Sequence, residues 1–290
     1  MERANDVAAA HIPVLYETVL EFLAPRPNGK YIDGTLGAGG HAAGILERGG
    51  RVLGLDADPN ALLLARTNLA QFAPRAAFVH SNFSHLARVA REKNFFPADG
   101  ILLDLGISSM ELADADRGFS FTSAGALDMR FDPTTGESAR VLVNRLSEKE
   151  LADLIFEFGE ERASRRFARA IVNARPIATA AQLAQTIERA VGRRGRIHPA
   201  TRTFQALRIA VNKEMENLEM VLPQIVETLA PQGRVVIISY HSLEDRRVKN
   251  FFRDSAELEV LTKHPIHPSA EEIAQNPRSR SAKLRAAEKN

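Results

Sequence analysis

The chain has 290 residues, 44% hydrophobic and 26% charged, the make-up of a soluble globular protein with room for one large domain or two modest ones. No apolar run approaches the roughly 20 residues that span a bilayer, and Glu2, Arg3 and Asp6 stand where a signal core would be, so a cytoplasmic protein with no membrane partner is expected. Cysteine is absent, which excludes disulfides, thiolate zinc sites and any reaction that needs a covalent thiolate adduct. If the chemistry is methyl transfer, the acceptor is then nitrogen or oxygen rather than carbon 5 of a pyrimidine.

The first hundred residues alternate short β-like runs with helical patterns. Lys30–Asp33 leads into a glycine-rich turn. Arg51–Leu55 ends in Asp56, and Asp58-Pro59 supplies a helix cap with proline at the first helical position. Ala76–His80, a helical stretch at Leu86–Glu92 and the apolar run Gly100–Leu105 follow. This rhythm predicts βα units and a mostly parallel sheet covered on both faces.

From about Glu111 to Phe204 the pattern is helical instead. Ser147–Glu150 is a capping box, and Thr179–Gln182 opens a second helix in the same way. Between them Phe167 and Ile171 share an apolar face, while Arg162, Arg165, Arg166 and Arg169 project from the opposite one. Residues 160–210 hold eleven arginines against three glutamates, a net +8 in a chain whose total is +2. A basic segment on an acidic body is a polyanion-binding arm or a solvated helical face. One long helix is predicted over Gln205–Leu229, then a strand over Arg234–Ser239 and a closing strand over Ala282–Ala287. The expected organisation is a sheet domain in two parts, 1–110 and 205–290, with a helical domain, 111–204, inserted between them.

Asp33-Gly34-Thr35-Leu36-Gly37-Ala38-Gly39-Gly40-His41 lies between the first strand and its helix. Gly37, Gly39 and Ala42 satisfy the dinucleotide fingerprint, with Asp56 about twenty residues on for a ribose. Asp33, Gly37 and Gly39 equally fit the acid-led turn of class I methyltransferases, with Thr35 in place of the first glycine. An acid in the turn favours a ligand carrying an ammonium and a sulfonium over one carrying a pyrophosphate. Both readings remain open on the turn alone, as does a binding protein without turnover. Asp56 and Asp104 close strands at the ligand edge, Asp56 to accept from ribose hydroxyls and Asp104 to accept from an exocyclic N–H. His241 follows a strand and could line a substrate. No metal-ligand spacing is present.

Taken together, these motifs resemble the bacterial small-subunit ribosomal RNA (cytosine-N4)-methyltransferase family, RsmH or MraW. The resemblance is carried by His11-Ile12-Pro13-Val14-Leu15, Asp33 to His41, Asp104-Leu105-Gly106-Ile107-Ser108-Ser109, Arg117-Gly118-Phe119-Ser120-Phe121 and Leu127-Asp128-Met129-Arg130. Further on it continues through Gly159-Glu160-Glu161-Arg162, His198 to Ile209, His241 to Arg246, and Asn276 to Ser281. It implies a class I, Rossmann-like α/β fold with an inserted all-helical domain, S-adenosyl-L-methionine as cofactor, and 16S ribosomal RNA or the small subunit as partner. Its implied cofactor site comprises Gly37, Gly39, Gly40, His41, Asp56, Phe83, Asp104 and Glu111, where the family usually has glutamine. Asp104 would orient the cytosine amine, helped by Ser108. RNA would be gripped by Arg162, Arg166, Arg169, Arg193, Arg194, Arg196, Arg202 and His241.

Overall fold

The computed structural model describes residues 13–192 and 198–290. It divides into two compact units, Met1–Gly106 with Glu216–Asn290, and Ile107–Met215.

The first unit is built on a seven-stranded sheet. Its strands are β1 (Lys30–Asp33), β2 (Arg51–Asp56), β3 (Ala76–His80), β4 (Ala98–Asp104), β5 (Leu229–Ser239), β6 (Leu258–Val260) and β7 (Lys283–Lys289). The order is β3-β2-β1-β4-β5-β7-β6, with β1 to β5 parallel and β7 antiparallel to both of its neighbours. The chain leaves β1 toward β2 and β3 on one side and returns to β4 on the other. The strand order therefore reverses between β1 and β4, which opens a crevice outside their carboxyl ends. A parallel sheet of this order, closed by one antiparallel strand slotted between β5 and β6, is the class I methyltransferase fold.

Alternation along the strands explains why helices cover both faces. Ile101, Leu103, Val235 and Ile237 face a core completed by α4 (Leu86–Glu92), α11 (Glu214–Thr228, through residues from Leu218 onward) and α12 (Ser242–Asp254). Leu102, Val236, Ile238 and Leu284 face the other core, with α1 (Tyr16–Leu23), α2 (Gly40–Glu47) and α3 (Pro59–Asn68). Asp58 caps α3 by accepting from the Asn60 amide at 2.9 Å, with Pro59 at the first helical position, as the sequence predicts. A short α13 (Ala270–Gln275) precedes β7.

The second unit is helical: α5 (Ser109–Ala113), α6 (Ala139–Arg145), α7 (Glu148–Gly159), α8 (Ser164–Asn173), α9 (Ala180–Val191) and α10 (Thr201–Asn212). Among its described residues the only β pairing is an isolated bridge, Ala126 to Thr179. Its own core joins Val143, Leu151, Ile155, Phe167, Ile171, Leu183, Ile187, Phe204 and Leu207. Both sequence-predicted caps form, Ser147 with Glu150 on α7 and Thr179 accepting from the Gln182 amide on α9.

The single helix expected over 205–229 is two helices. Lys213 takes a left-handed conformation (φ 50°, ψ 42°) and ends α10, its amide donating back to Ala210 and Ile209. The Arg208 guanidinium grips Glu214 across the break, at 2.8 and 2.9 Å. α10 packs on α7, so the helical unit runs past residue 204. The two helices approach closely at Gly159, where a Cβ would come within 2.6 Å of the Arg202 carbonyl. Among the described residues, no helix is long and apolar enough to cross a membrane.

Candidate active site at the sheet rim

Three adjacent strands, β2, β1 and β4, each end in an aspartate: Asp56, Asp33 and Asp104. The turn after β1 stays tied to both neighbours, Gly34 donating to the Leu102 carbonyl and Leu36 to the Leu55 carbonyl, each at 2.9 Å. Gly37 (φ 53°) and Gly39 (φ 88°) adopt the left-handed backbone that side chains resist. They differ in surroundings. A Cβ on Gly39 would strike Leu69 at 2.7 Å, whereas a Cβ on Gly37 would meet nothing within 4 Å. Gly37 thus faces open space, and Gly39 lets the turn sit down on α3's C-terminal end. Gly40 begins α2, where a Cβ would strike Pro13 at 2.5 Å.

Asp56 holds the turn from the side. One of its carboxylate oxygens accepts from the Gly37 amide at 2.7 Å and the other from the Asp58 amide at 2.8 Å. The Ala57 amide also bonds this carboxylate, whose roughly four lone-pair sites leave capacity for a hydroxyl donor. Asp33 accepts from the Thr35 amide at 3.1 Å, and the Thr35 hydroxyl accepts from the Asp104 amide at 2.6 Å. Thr35, which the sequence shows only as a departure from glycine, therefore cross-links the ends of β1 and β4.

Asp104 keeps 21% of its side chain exposed. One oxygen accepts from the Tyr240 hydroxyl at 2.8 Å, and the other lies 3.9 Å from His41 Nδ1. His41 Nε2 lies 3.0 Å from the Val14 carbonyl, which can only accept, so that nitrogen carries a proton. Tyr16 stacks on the imidazole, with centroids 6.2 Å apart. The motif Pro13-Val14-Leu15 thus has a local role: it buttresses the first turn of α2 and fixes the ring of His41.

The electrostatics are one-sided. Burial pushes the Asp33 carboxyl up to about 7, with Asp104 and Asp56 adding repulsion. Burial likewise raises Asp104 to about 7, opposed by the Tyr240 hydrogen bond and reinforced by Glu244. Asp56 is raised too, again by burial first, although the Asp58 and Gly37 amides oppose it. A rim of crowded carboxylates beside an open glycine turn suits a ligand that brings positive charge and hydroxyl donors together.

Phe83 lies in the turn after β3 and packs at the edge of one core, and a Cβ on Gly34 would approach Phe83 Cβ at 3.3 Å. It is therefore placed beside the same turn. Ser108 and Glu111 lie in the helical unit and are engaged with each other. The Ser108 hydroxyl accepts from the Glu111 amide at 3.1 Å, and the Glu111 carboxylate accepts from the Ser108 amide at 2.7 Å, a capping box on α5.

His241, expected on an RNA-facing surface, is 8% exposed and caps α12, accepting from the Glu244 amide at 3.4 Å. Burial takes it off the basic surface. Arg162, Arg165, Arg166, Arg169 and Arg202 are exposed. Arg169 pairs with Glu148 at 3.2 Å and Arg202 with Glu161 at 3.6 Å, whereas among the described residues no ion pair engages Arg162, Arg165 or Arg166. Arg193, Arg194 and Arg196 lie outside the described residues.

Sequence reasoning passed over Tyr240. The signal was available, since it directly follows β5 at the carboxyl edge of the sheet, but the neighbouring His241 drew attention instead.

The geometry agrees with what the chain is similar to. Residues 8–290 match the model of the MraW methylase family. A protein of Thermomicrobium roseum named ribosomal RNA small subunit methyltransferase H is 52% identical, the match covering 98% of this chain and 95% of that one. Proteins of the same name from Nostoc punctiforme (52% identical, 98% and 96% covered) and Dehalococcoides mccartyi (48%, 96% and 86%) are similar over the same span. A match over nearly the full length, on a sheet with this strand order and rim, has one consequence: the chain belongs to the MraW methylase family.

Proposed function

We propose that the protein transfers the methyl group of S-adenosylmethionine to the exocyclic N4 amine of a cytidine in 16S ribosomal RNA, and that it works in the cytoplasm on that RNA or on the small subunit. The observation that carries this reading is the row of carboxylates ending β2, β1 and β4 beside a glycine turn that is open at Gly37. The relatives' names supply the RNA, and the absence of cysteine favours nitrogen over pyrimidine carbon as acceptor.

S-adenosylmethionine supplies a methyl carbon made electrophilic by its sulfonium. Asp56 would accept from the ribose hydroxyls. The Gly37–Gly40 turn and the fixed ring of His41 would hold the amino-acid end, and Phe83 would lie against the adenine. Asp104 accepts the N–H of the cytosine amine, turning a lone pair otherwise delocalised into the ring toward the methyl carbon. So oriented, the amine would take the methyl group, the C–S electrons would pass to sulfur, and the amine proton would leave to water. Much of the acceleration comes from holding the two reactants in line. The target base must leave its stack to reach the rim. Arg162, Arg165 and Arg166, which have no ion-pair partner among the described residues, are the cations best suited to phosphates.

The test is methylation of 16S RNA and of small subunits with labelled S-adenosylmethionine, followed by nucleoside mass spectrometry. N4-methylcytidine is the expected product. Label in carbon-5-methylcytidine, or no transfer to either substrate, would remove the reading.

A further inference from the structure

Tyr240 ends the β5 edge of the rim and has no place in the mechanism so far. Its position is tightly determined. The β4–β5 ladder continues to Leu105, whose amide donates to the Ile238 carbonyl at 2.9 Å, so the chain two residues beyond Ile238 arrives beside Asp104. The Tyr240 amide donates to the Glu244 carboxylate at 2.8 Å, fixing the backbone. The ring packs at the margin of the core shared by α1, α2 and α3. Gly106, at φ 104°, makes room for it: a Cβ there would lie 3.0 Å from the Tyr240 ring. These constraints leave the hydroxyl on one oxygen of Asp104 at 2.8 Å.

We infer that Tyr240 is a positioning residue for methyl transfer, its hydroxyl clamping one carboxylate oxygen of Asp104 so that the other is aimed at the N–H of the accepting amine. The inference rests on the reading of Asp104 as the group that orients that amine. A carboxylate free to rotate presents its oxygens in many directions, whereas one held by a half-buried, packed phenol presents a single acceptor. The phenol also favours the ionised form of Asp104. The other charged or titratable groups around the pair are His41 from α2, Asp33 from β1, Glu244 from α12 and, toward Tyr240, Glu272 from α13. Of these, Glu244 opposes ionisation of Asp104. His41 Nδ1, at 3.9 Å, is too far for a hydrogen bond. Among the described residues Tyr240 is thus the hydrogen-bond donor to the Asp104 side chain, and burial together with Asp104 drives its own ionisation well above the ordinary range. It stays a donor at every pH at which the protein works.

Tyr240→Phe keeps the ring and removes the donor. Turnover of 16S RNA is measured from pH 5.5 to 9 for both proteins, with S-adenosylmethionine affinity by calorimetry. The expected result at pH 7 is a loss in kcat of about tenfold, the size of one hydrogen bond to a charge. KM for RNA and the cofactor Kd stay within about threefold, and the rising limb of the pH profile moves toward alkaline pH so that the deficit narrows by pH 9. Superimposable profiles, or a deficit of equal size at every pH with weakened cofactor binding, would overturn it. A wild-type protein that transfers no methyl group would instead sink the reading of the site. The inference then still faces a direct measurement, in which the carboxyl carbon of Asp104, assigned with Asp104→Asn, is titrated by NMR in the protein alone. The Tyr240→Phe variant should titrate at higher pH, and an unmoved midpoint refutes the clamp.

Discussion

At the rim of the sheet, negative charge is gathered where water is scarce: Asp33 is 1% exposed and Asp104 21%, and burial holds both well above the ordinary carboxylate range. On α8 and in the turn that leads into it, positive charge is gathered in open solvent, where Arg162, Arg165 and Arg166 have no ion-pair partner among the described residues. The first arrangement is costly, and it is held in place by amides and hydroxyls from four strand ends. The second costs little, since exposed guanidiniums are fully hydrated. Crowded, half-desolvated carboxylates gain most from a small cation that displaces water, with short range and fixed geometry. Hydrated arginines gain from a polyanion through released counterions, with loose geometry and strong dependence on salt. Under the proposed function one unit fixes a small cationic ligand and the other holds a long anionic one, and substitutions should separate the two.

The largest effect is expected at Asp104. Asp104→Asn keeps the shape of the side chain and its contact with the Tyr240 hydroxyl but removes the charge that draws on the amine proton. A loss in kcat of about 10²–10³-fold is expected, with RNA affinity unchanged. Single-turnover methylation read alongside filter binding measures both. Full turnover in this variant would end the role given to Asp104. Asp56→Ala comes next: it strips the acceptor for ribose hydroxyls and releases the Gly37 amide. Calorimetry should show cofactor affinity weakened by about ten- to a hundredfold, the size of one or two hydrogen bonds to a charge. RNA binding should not respond, and a parallel loss there would mean that the two recognitions are not separable.

Arg165→Glu with Arg166→Glu tests the other side. Filter binding of 16S RNA across a salt series should show affinity lower by about tenfold or more at low salt, and a salt dependence shallower by about 1.5 in the logarithmic slope. Cofactor affinity should hold. An unchanged slope would return α8 to the status of a solvated helical face.

The same contrast governs what could be read from the sequence. Asp56 and Asp104 were legible because each ends an apolar run at a predicted strand end, and the sheet's topology then carries both to one rim. The arginine face of α8 was legible because helical spacing alone places Arg165, Arg166 and Arg169 opposite Phe167 and Ile171, although Arg162, expected with them, lies in the turn before the helix. What escaped was set by tertiary contact. Lys213 breaks a helix in a left-handed conformation without the glycine that would announce it, and Glu214 answers Arg208 across the break. Thr35 and Tyr240 bind Asp104 across strands 69 and 136 residues away in sequence, and no local pattern encodes such pairings. His241, expected to line a substrate and grip RNA because it follows a strand, caps α12 and is buried there.

Glu111 is where the separation of the two units is most open to challenge, since a residue of the helical unit was expected to touch the cofactor. The structure gives its carboxylate a local occupation in the capping box with Ser108. Glutamine, the residue usual at this position in the family, serves a capping box as well as glutamate does. Glu111→Gln should therefore leave thermal stability within about 0.5 kcal/mol and cofactor affinity within about threefold. Glu111→Ala, which abolishes the reciprocal bond, should cost about 1 kcal/mol. If the carboxylate instead faced the sulfonium, removing its charge while keeping its shape would weaken cofactor binding by tenfold or more with no change in stability. Calorimetry and thermal melts on the two variants distinguish these outcomes, and only the first leaves recognition of the cation to the sheet rim alone.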